Sequence, residues 1–323
     1  MHDPFQISKS PPSIEKQPED QPTNKAPHSS VTLIYEANVA EFNRNVIVTW
    51  NKSLINYSLT ISVENLSNEN HYTCKIDLKT WQFWGRKGLK SFPVDGGKVD
   101  VYWDFRRAKF SSNPEPSSDY YVALVYEEEV VLMLGDSKKD AYRRTKKRPS
   151  MFEPILLCKK ENVYGKKIFC TKAMLHLGNE EHREHDIVIE MSSGLGDPEL
   201  WISIDSFEVT HVKNLHWRFR GNEKVIMNNV VIDIFWDVHD WLFGSPASQT
   251  SGHGLFIFKP GELDYQPDSD TNRNRNTNRN RNTSRNGNNV LFEDKLGLGY
   301  DSSSEIWTPS SGFFHVVYAW KLE

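Results

Sequence analysis

Cysteine is scarce in this chain: Cys74, Cys158 and Cys170 are the only three in 323 residues. An odd, low count without paired spacing does not describe a secreted disulfide scaffold, and it fits reduced thiols in the cytoplasm or nucleus. Cys158 and Cys170 flank "ENVYG", which reads as a hairpin turn, so a facing pair and two separate reduced strand cysteines are both open, with the compartment rule favouring the second. No run of about 18 apolar residues occurs, so no helix is expected to span a membrane. The N-terminal stretch has no apolar core segment, so no signal peptide is expected. There is no phosphate-binding loop and no G-x-G-x-x-G, and "KLGLGY" (295–300) lacks the strand–helix setting that would give it meaning. Helical periodicity is almost absent. Charge is no guide either: a formal net charge of −4 leaves nucleic acid or membrane binding to a local patch.

Bulky aromatic residues are what the chain does have: 12% of the sequence, including ten Trp. From Val31 onward, short runs rich in Val, Ile, Tyr, Phe and Trp alternate with Gly, Asn, Asp and Ser, the punctuation of strands and turns. Residues 1–30 are Pro-rich with few large apolar side chains, and they are expected to be a disordered tail. Two heptads nearly coincide, "VDVYWDF" (99–105) and "IDIFWDV" (232–238). Earlier segments recur in the same order. "VIVTW" (46–50) falls on "IVIEM" (187–191), "SLTISVE" (58–64) on "ELWISID" (199–205), and "LKTWQFWG" (78–85) on "LHWRFRG" (215–221), with Gly85 set on Gly221. The length changes between them fall in expected turns, among them "GLKSFPVDGG", "EKVIMNN" and "DSFEVTHV". The pattern predicts a mainly β protein made of two similar antiparallel β-units, sandwich or barrel, from an internal duplication: 31–135 and 154–323. Between them, 136–153 holds a short basic helix and linker, capped at Asp136 or Ser137 and stopped by Pro149. The second unit carries a low-complexity insertion, 262–311, expected to be largely disordered and tolerated because loop closure costs grow slowly with length.

Period two places Val99, Val101, Trp103 and Phe105 on one strand face, and Ile232, Ile234, Trp236 and Val238 on another, so the repeated Trp is most simply a core residue. The carboxylates between them, Asp100 with Asp104 and Asp233 with Asp237, stand about 13 Å apart along a strand, too far for a glycosidase pair. "HLGNEEHREHD" (176–186) is the densest ligand-type cluster, with His182 and His185 as weak metal candidates, but a polar turn looks the same and no second cluster supports it. His239 with Asp237 or Asp240 is a weak hydrolase candidate, since no nucleophile can be nominated. "KKDAYRRTKKR" (138–148) offers Lys138, Lys139, Arg143, Arg144, Lys146, Lys147 and Arg148 to an anionic partner, with a solvated helix face as the plain alternative. The Arg/Asn tract (272–286) permits non-specific nucleic-acid contact, though neutral expansion of a tolerant loop is the favoured explanation. Tyr102, Phe235, Trp241 and Trp84 are candidates for an aromatic ligand face. No cofactor is indicated.

Several segments carry a family resemblance: "EPSSDYYVALV" (115–125), "VVLMLGD" (130–136), "AYRRTKKRPS" (141–150), "HVKNLHWRFRGNEKV" (211–225), "IFWDVHDWLF" (234–243), "GLFIFKPG" (254–261) and the closing "YAWKLE". Over residues 31–323 the chain resembles a plant family catalogued as a domain of unknown function, number 868; the Arg/Asn tract departs from its pattern. The resemblance implies a plant source and brings no activity, cofactor or catalytic residue. The reading that combines these features is a non-enzymatic binding or adaptor protein of the cytoplasm or nucleus, with an unknown protein or other anionic partner. The alternatives are a small-ligand binder, sugar or apolar, and, less supported, a hydrolase using His239.

Overall fold

The computed structural model describes residues 29–54, 56–66, 71–79, 85–111, 113–175, 183–192, 196–244, 252–261 and 313–322. The N-terminal tail up to residue 28, the insertion 262–311 with its Arg/Asn tract, Trp84 and His182 lie outside the described residues.

The protein is mainly β, and the alternation read in the sequence is what builds it. Strands β1 (Ser29–Val39), β2 (Phe42–Lys52), β3 (Asn56–Glu64) and β4 (His71–Lys79) form one antiparallel meander. A second meander follows: β5 (Lys87–Val94), β6 (Gly97–Asp104), β7 (Tyr121–Tyr126) and β8 (Glu129–Leu134). Their inner faces enclose one core that includes Trp50, Ile61, Val101, Trp103 and Phe105. After helix α1 (Lys138–Thr145), the short β9 (Arg148–Pro149) and β10 (Ile155–Gly165), the plan recurs. The third meander is β11 (Ile168–Ala173), β12 (His185–Met191), β13 (Leu200–Ile204) and β14 (Phe207–Val212). The fourth is β15 (Arg220–Met227), β16 (Val230–Asp237), β17 (His253–Pro260) and β18 (Phe314–Lys321), with helix α2 (His239–Phe243) between β16 and β17. A second core, including Ile187, Ile202, Trp236 and Phe258, fills the space between them. Among the described residues the sheets are open, so each core is sandwiched rather than enclosed in a barrel.

The two halves are joined by β10. It pairs antiparallel with β1 and parallel with β18, which fuses the first and fourth meanders into one nine-stranded sheet, β15-β16-β17-β18-β10-β1-β2-β3-β4. The parallel pair departs from the antiparallel expectation; its long crossover is the whole of β11 to β17. "ENVYG" is therefore not a turn. Those residues are the second half of β10, held straight by their partners in β18, and the chain turns after Gly165. "GLKSFPVDGG" and "EKVIMNN" likewise are mostly strand. Their turns shrink to Asp95–Gly96 and Asn228–Asn229, where both residues have positive φ, the two-residue geometry that matches strand twist.

The corresponding ladders keep corresponding registers. Val46, Val48 and Trp50 face Val63, Ile61 and Leu59 in β2/β3, as Ile187, Ile189 and Met191 face Ile204, Ile202 and Leu200 in β12/β13. In β5/β6, Gly88 lies opposite Trp103, and in β15/β16 Gly221 lies opposite Trp236. The indole N–H of Trp103 donates to Gly85 O and that of Trp236 to Arg218 O, both at 2.9 Å. This corrects one detail of the sequence comparison: the counterpart of Gly221 is Gly88, not Gly85. A Cβ at either glycine would fall within 2.1 Å or 2.5 Å of the facing indole ring, so the absence of a side chain is what lets each Trp lie flat across its neighbour strand.

Candidate functional site

The basic stretch is built into the fold more than its composition suggests. Helix α1 starts after Ser137, whose side chain makes no cap hydrogen bond, and ends in a left-handed Lys146, ahead of Pro149. Its apolar side, Ala141 and Tyr142, packs on the outer face of β7 beside Tyr121 and Val125. Arg144 turns inward: Nη1 donates to Trp103 O and Nη2 to Gly88 O, both at 2.8 Å, and the guanidinium lies 5.5 Å from the Tyr102 ring. Arg143 pairs with Asp140, Lys147 with Glu128 at 2.5 Å, and Arg148 with Glu129 at 2.7 Å. Lys138, Lys139 and Lys146 remain exposed and are not engaged in this way among the described residues.

The other candidates do not converge. Tyr102 lies under Arg144 and against α1. Phe235 belongs to an outer-face cluster on β16–β18 and sits under Lys259 Nζ. Trp241 is buried in the second core, stacked on Phe169 at 4.9 Å, with its N–H donated to Ala319 O. His239 is exposed; its Nδ1 lies 3.1 Å from Asp240, its backbone N–H is accepted by Asp237, and its ring neighbours are Phe219 and Phe243. Asp237 is held by Arg220 Nε at 2.6 Å. His185 is buried with Nδ1 2.7 Å from Asp205. No group of three or more potential metal ligands gathers among the described residues. All three cysteines are free; Cys158 and Cys170 lie in different sheets, one buried and one exposed.

A polar cleft of about 760 Å³ opens where the two halves meet. Its walls come from β1, the end of β2, the loop at Asn113–Glu115, β10 and β11. At its floor is Glu161, on the β10 face shared with Lys159 and Val163. Glu161 Oε1 accepts from His315 Nε2 at 2.5 Å and from the Thr171 hydroxyl, and Lys159 Nζ stands 3.3 Å away. Burial pushes this carboxyl up, but the donors at His315, Lys159 and Thr171 outweigh it and hold it down to about 2. His315 comes from β18, fully buried, and burial lowers its pKa against the opposing pull of Glu161. Its Nδ1 has no hydrogen-bond partner among the described residues. On the opposite wall Glu115 accepts from the Tyr120 hydroxyl at 2.7 Å, and burial, with Glu184 and Glu161 nearby, raises its pKa. Cys170 and Thr171 line the β11 side.

Of these cleft residues the sequence singled out Cys170, for its spacing to Cys158, and Glu184, within the 176–186 cluster; Glu161, His315, Thr171 and Glu115 it did not. The signal that could have found them is register. In "GFFHVVYAW" His315 falls on the same alternate face as Val317 and Ala319, which are core residues, and a polar side chain on a core-facing register needs a partner. A family model described as plant protein of unknown function (DUF868) matches residues 26–321. No curated protein and no solved structure matches the chain.

Proposed function

The chain belongs to this plant family, DUF868, and we propose that it is a binding protein, assembled from a duplicated β-unit, that holds a small polar ligand in the cleft between its halves. The observation that carries the reading is the cleft itself. Its volume is in the range of small-molecule sites. Its lining includes the largely shielded carboxylate of Glu161, whose Oε1 accepts from His315 and Thr171, and its walls come from both halves. Matching registers at β2/β3 with β12/β13, and at β5/β6 with β15/β16, support the duplication. A site between two similar units fits the tendency of ligands to bind where units meet. Three free cysteines suit a reducing compartment, cytoplasm or nucleus.

The aromatic platform becomes the weaker form of the ligand reading, because Tyr102 and Trp241 are engaged in packing. The test fills the cleft from its β11 wall. Wild-type protein purified from plant tissue should release a small molecule on denaturation, close to one per chain, detectable by mass spectrometry, and Cys170→Trp should release much less. Equal release from both proteins, or none from either, would sink the proposal.

A further inference from the structure

We propose that α1 and the segment after it dock the protein on an anionic membrane surface. Lys138, Lys139 and Lys146 are exposed and have no ion-pair partner among the described residues, whereas Lys147 and Arg148 pair with Glu128 and Glu129, and Arg143 shares Asp140 with Arg107. Directly beyond β9, Met151 is 82% exposed and Phe152 63%, and Ile155 at the start of β10 is 58% exposed. From Lys146 to Met151 the extended chain reaches at most about 17 Å, which keeps Lys146 near the apolar tips, and Lys138 and Lys139 stand in the first turn of the same two-turn helix. The patch is held firmly on its helical side, because Ala141 and Thr145 are buried and Arg144 is tied to two backbone carbonyls of the sheet.

The chemistry favours a bilayer over other anions. Lysines are point charges suited to headgroup phosphates and carboxylates. A thioether and a phenyl ring standing free at a bend suit the boundary between headgroups and acyl chains. A nucleic-acid strand would call for a row of stacking aromatics, and Phe152 stands alone. Glu127 and Glu153 leave the positive surplus modest, so neither charge nor insertion is sufficient alone, and two signals acting together are required.

The test is co-sedimentation of the full chain with vesicles. One set is pure phosphatidylcholine; the other contains about 30% phosphatidylserine, a strongly anionic surface. Binding is expected to the second set and to be weaker at least fivefold to the first, since each lysine near such a surface is worth roughly 1 kcal/mol. The triple variant K138E/K139E/K146E and the double variant M151D/F152D should each lose that binding by at least fivefold. All five side chains are exposed, so unchanged thermal unfolding should show that both variants fold. Equal binding to the two vesicle sets, no binding to either, or retention by M151D/F152D would overturn the proposal. So would tighter binding of a short single-stranded RNA, lost in the lysine variant alone, which would assign the patch to nucleic acid.

Discussion

Glu161 shows how one side chain can tie the bridging strand and its neighbours to the cleft. It sits on the bridging strand β10 and accepts from Thr171 of β11 and His315 of β18. Glu161→Ala would leave these buried donors without an acceptor and strand Lys159 beside them, an expected cost of about 3 kcal/mol, read as a lower urea midpoint at unchanged slope. Glu161→Gln keeps an acceptor and should cost less. The acid response follows from the same residues. His315 has its folded pKa lowered below the ordinary 6.5 of the unfolded chain, so the unfolded state takes up the proton first and stability falls as pH drops below that value. The Glu161 contribution is present above about 4.5 and is lost as pH falls toward about 2. Glu115, raised, works the other way and gains stability on acidification. Between pH 7 and 5 the melting temperature of the wild type should therefore fall, and His315→Gln, which offers an amide N–H in place of the imidazole N–H and removes the titration, should flatten that fall. An equal decline in both proteins would remove His315 as its cause.

At the level of elements, β6 and β16 were legible in the sequence because apolar and polar residues alternate strictly and the inner set, Val99 to Phe105 and Ile232 to Val238, is buried as a block. The repeat correspondence of 46–50 with 187–191 and 58–64 with 199–205 was legible too, and the matching ladders β2/β3 and β12/β13 follow it. Strand β10 was not, since its second half reads as a polar turn and only the distant strands β1 and β18 hold it extended; pairing at that separation leaves no local trace. The cleft depends on those pairings and was hidden with them. Two experiments act at this scale. Gly88→Ala and Gly221→Ala each drive a methyl into a facing indole and should destabilise by about 2 kcal/mol, to similar extents if the two hairpins are equivalent. Arg144→Ala should cost about 2 kcal/mol by removing two charge-assisted bonds to backbone carbonyls, while Arg143→Ala, an exposed i,i+3 pair, should cost less than about 0.5 kcal/mol. Denaturant unfolding separates these outcomes, and equal losses would mean that Arg144 is not the anchor of α1.

For the whole molecule, the organising feature is one long sheet shared by two sandwiches, with the polar cleft at their seam. The seam places Cys170 on the cleft wall, exposed, while Cys74 and Cys158 are buried, the latter with its thiol pushed up to about 12 by burial. Cys170 is thus a built-in reporter of whether anything occupies the cleft. The most direct measurement is the rate at which iodoacetamide alkylates Cys170 in the wild-type chain, with and without the small-molecule fraction of plant tissue. A ligand in the cleft should slow that reaction and leave Cys74 and Cys158 unlabelled in both conditions. An unchanged rate at Cys170 across the whole fraction would contradict the cleft as a binding site.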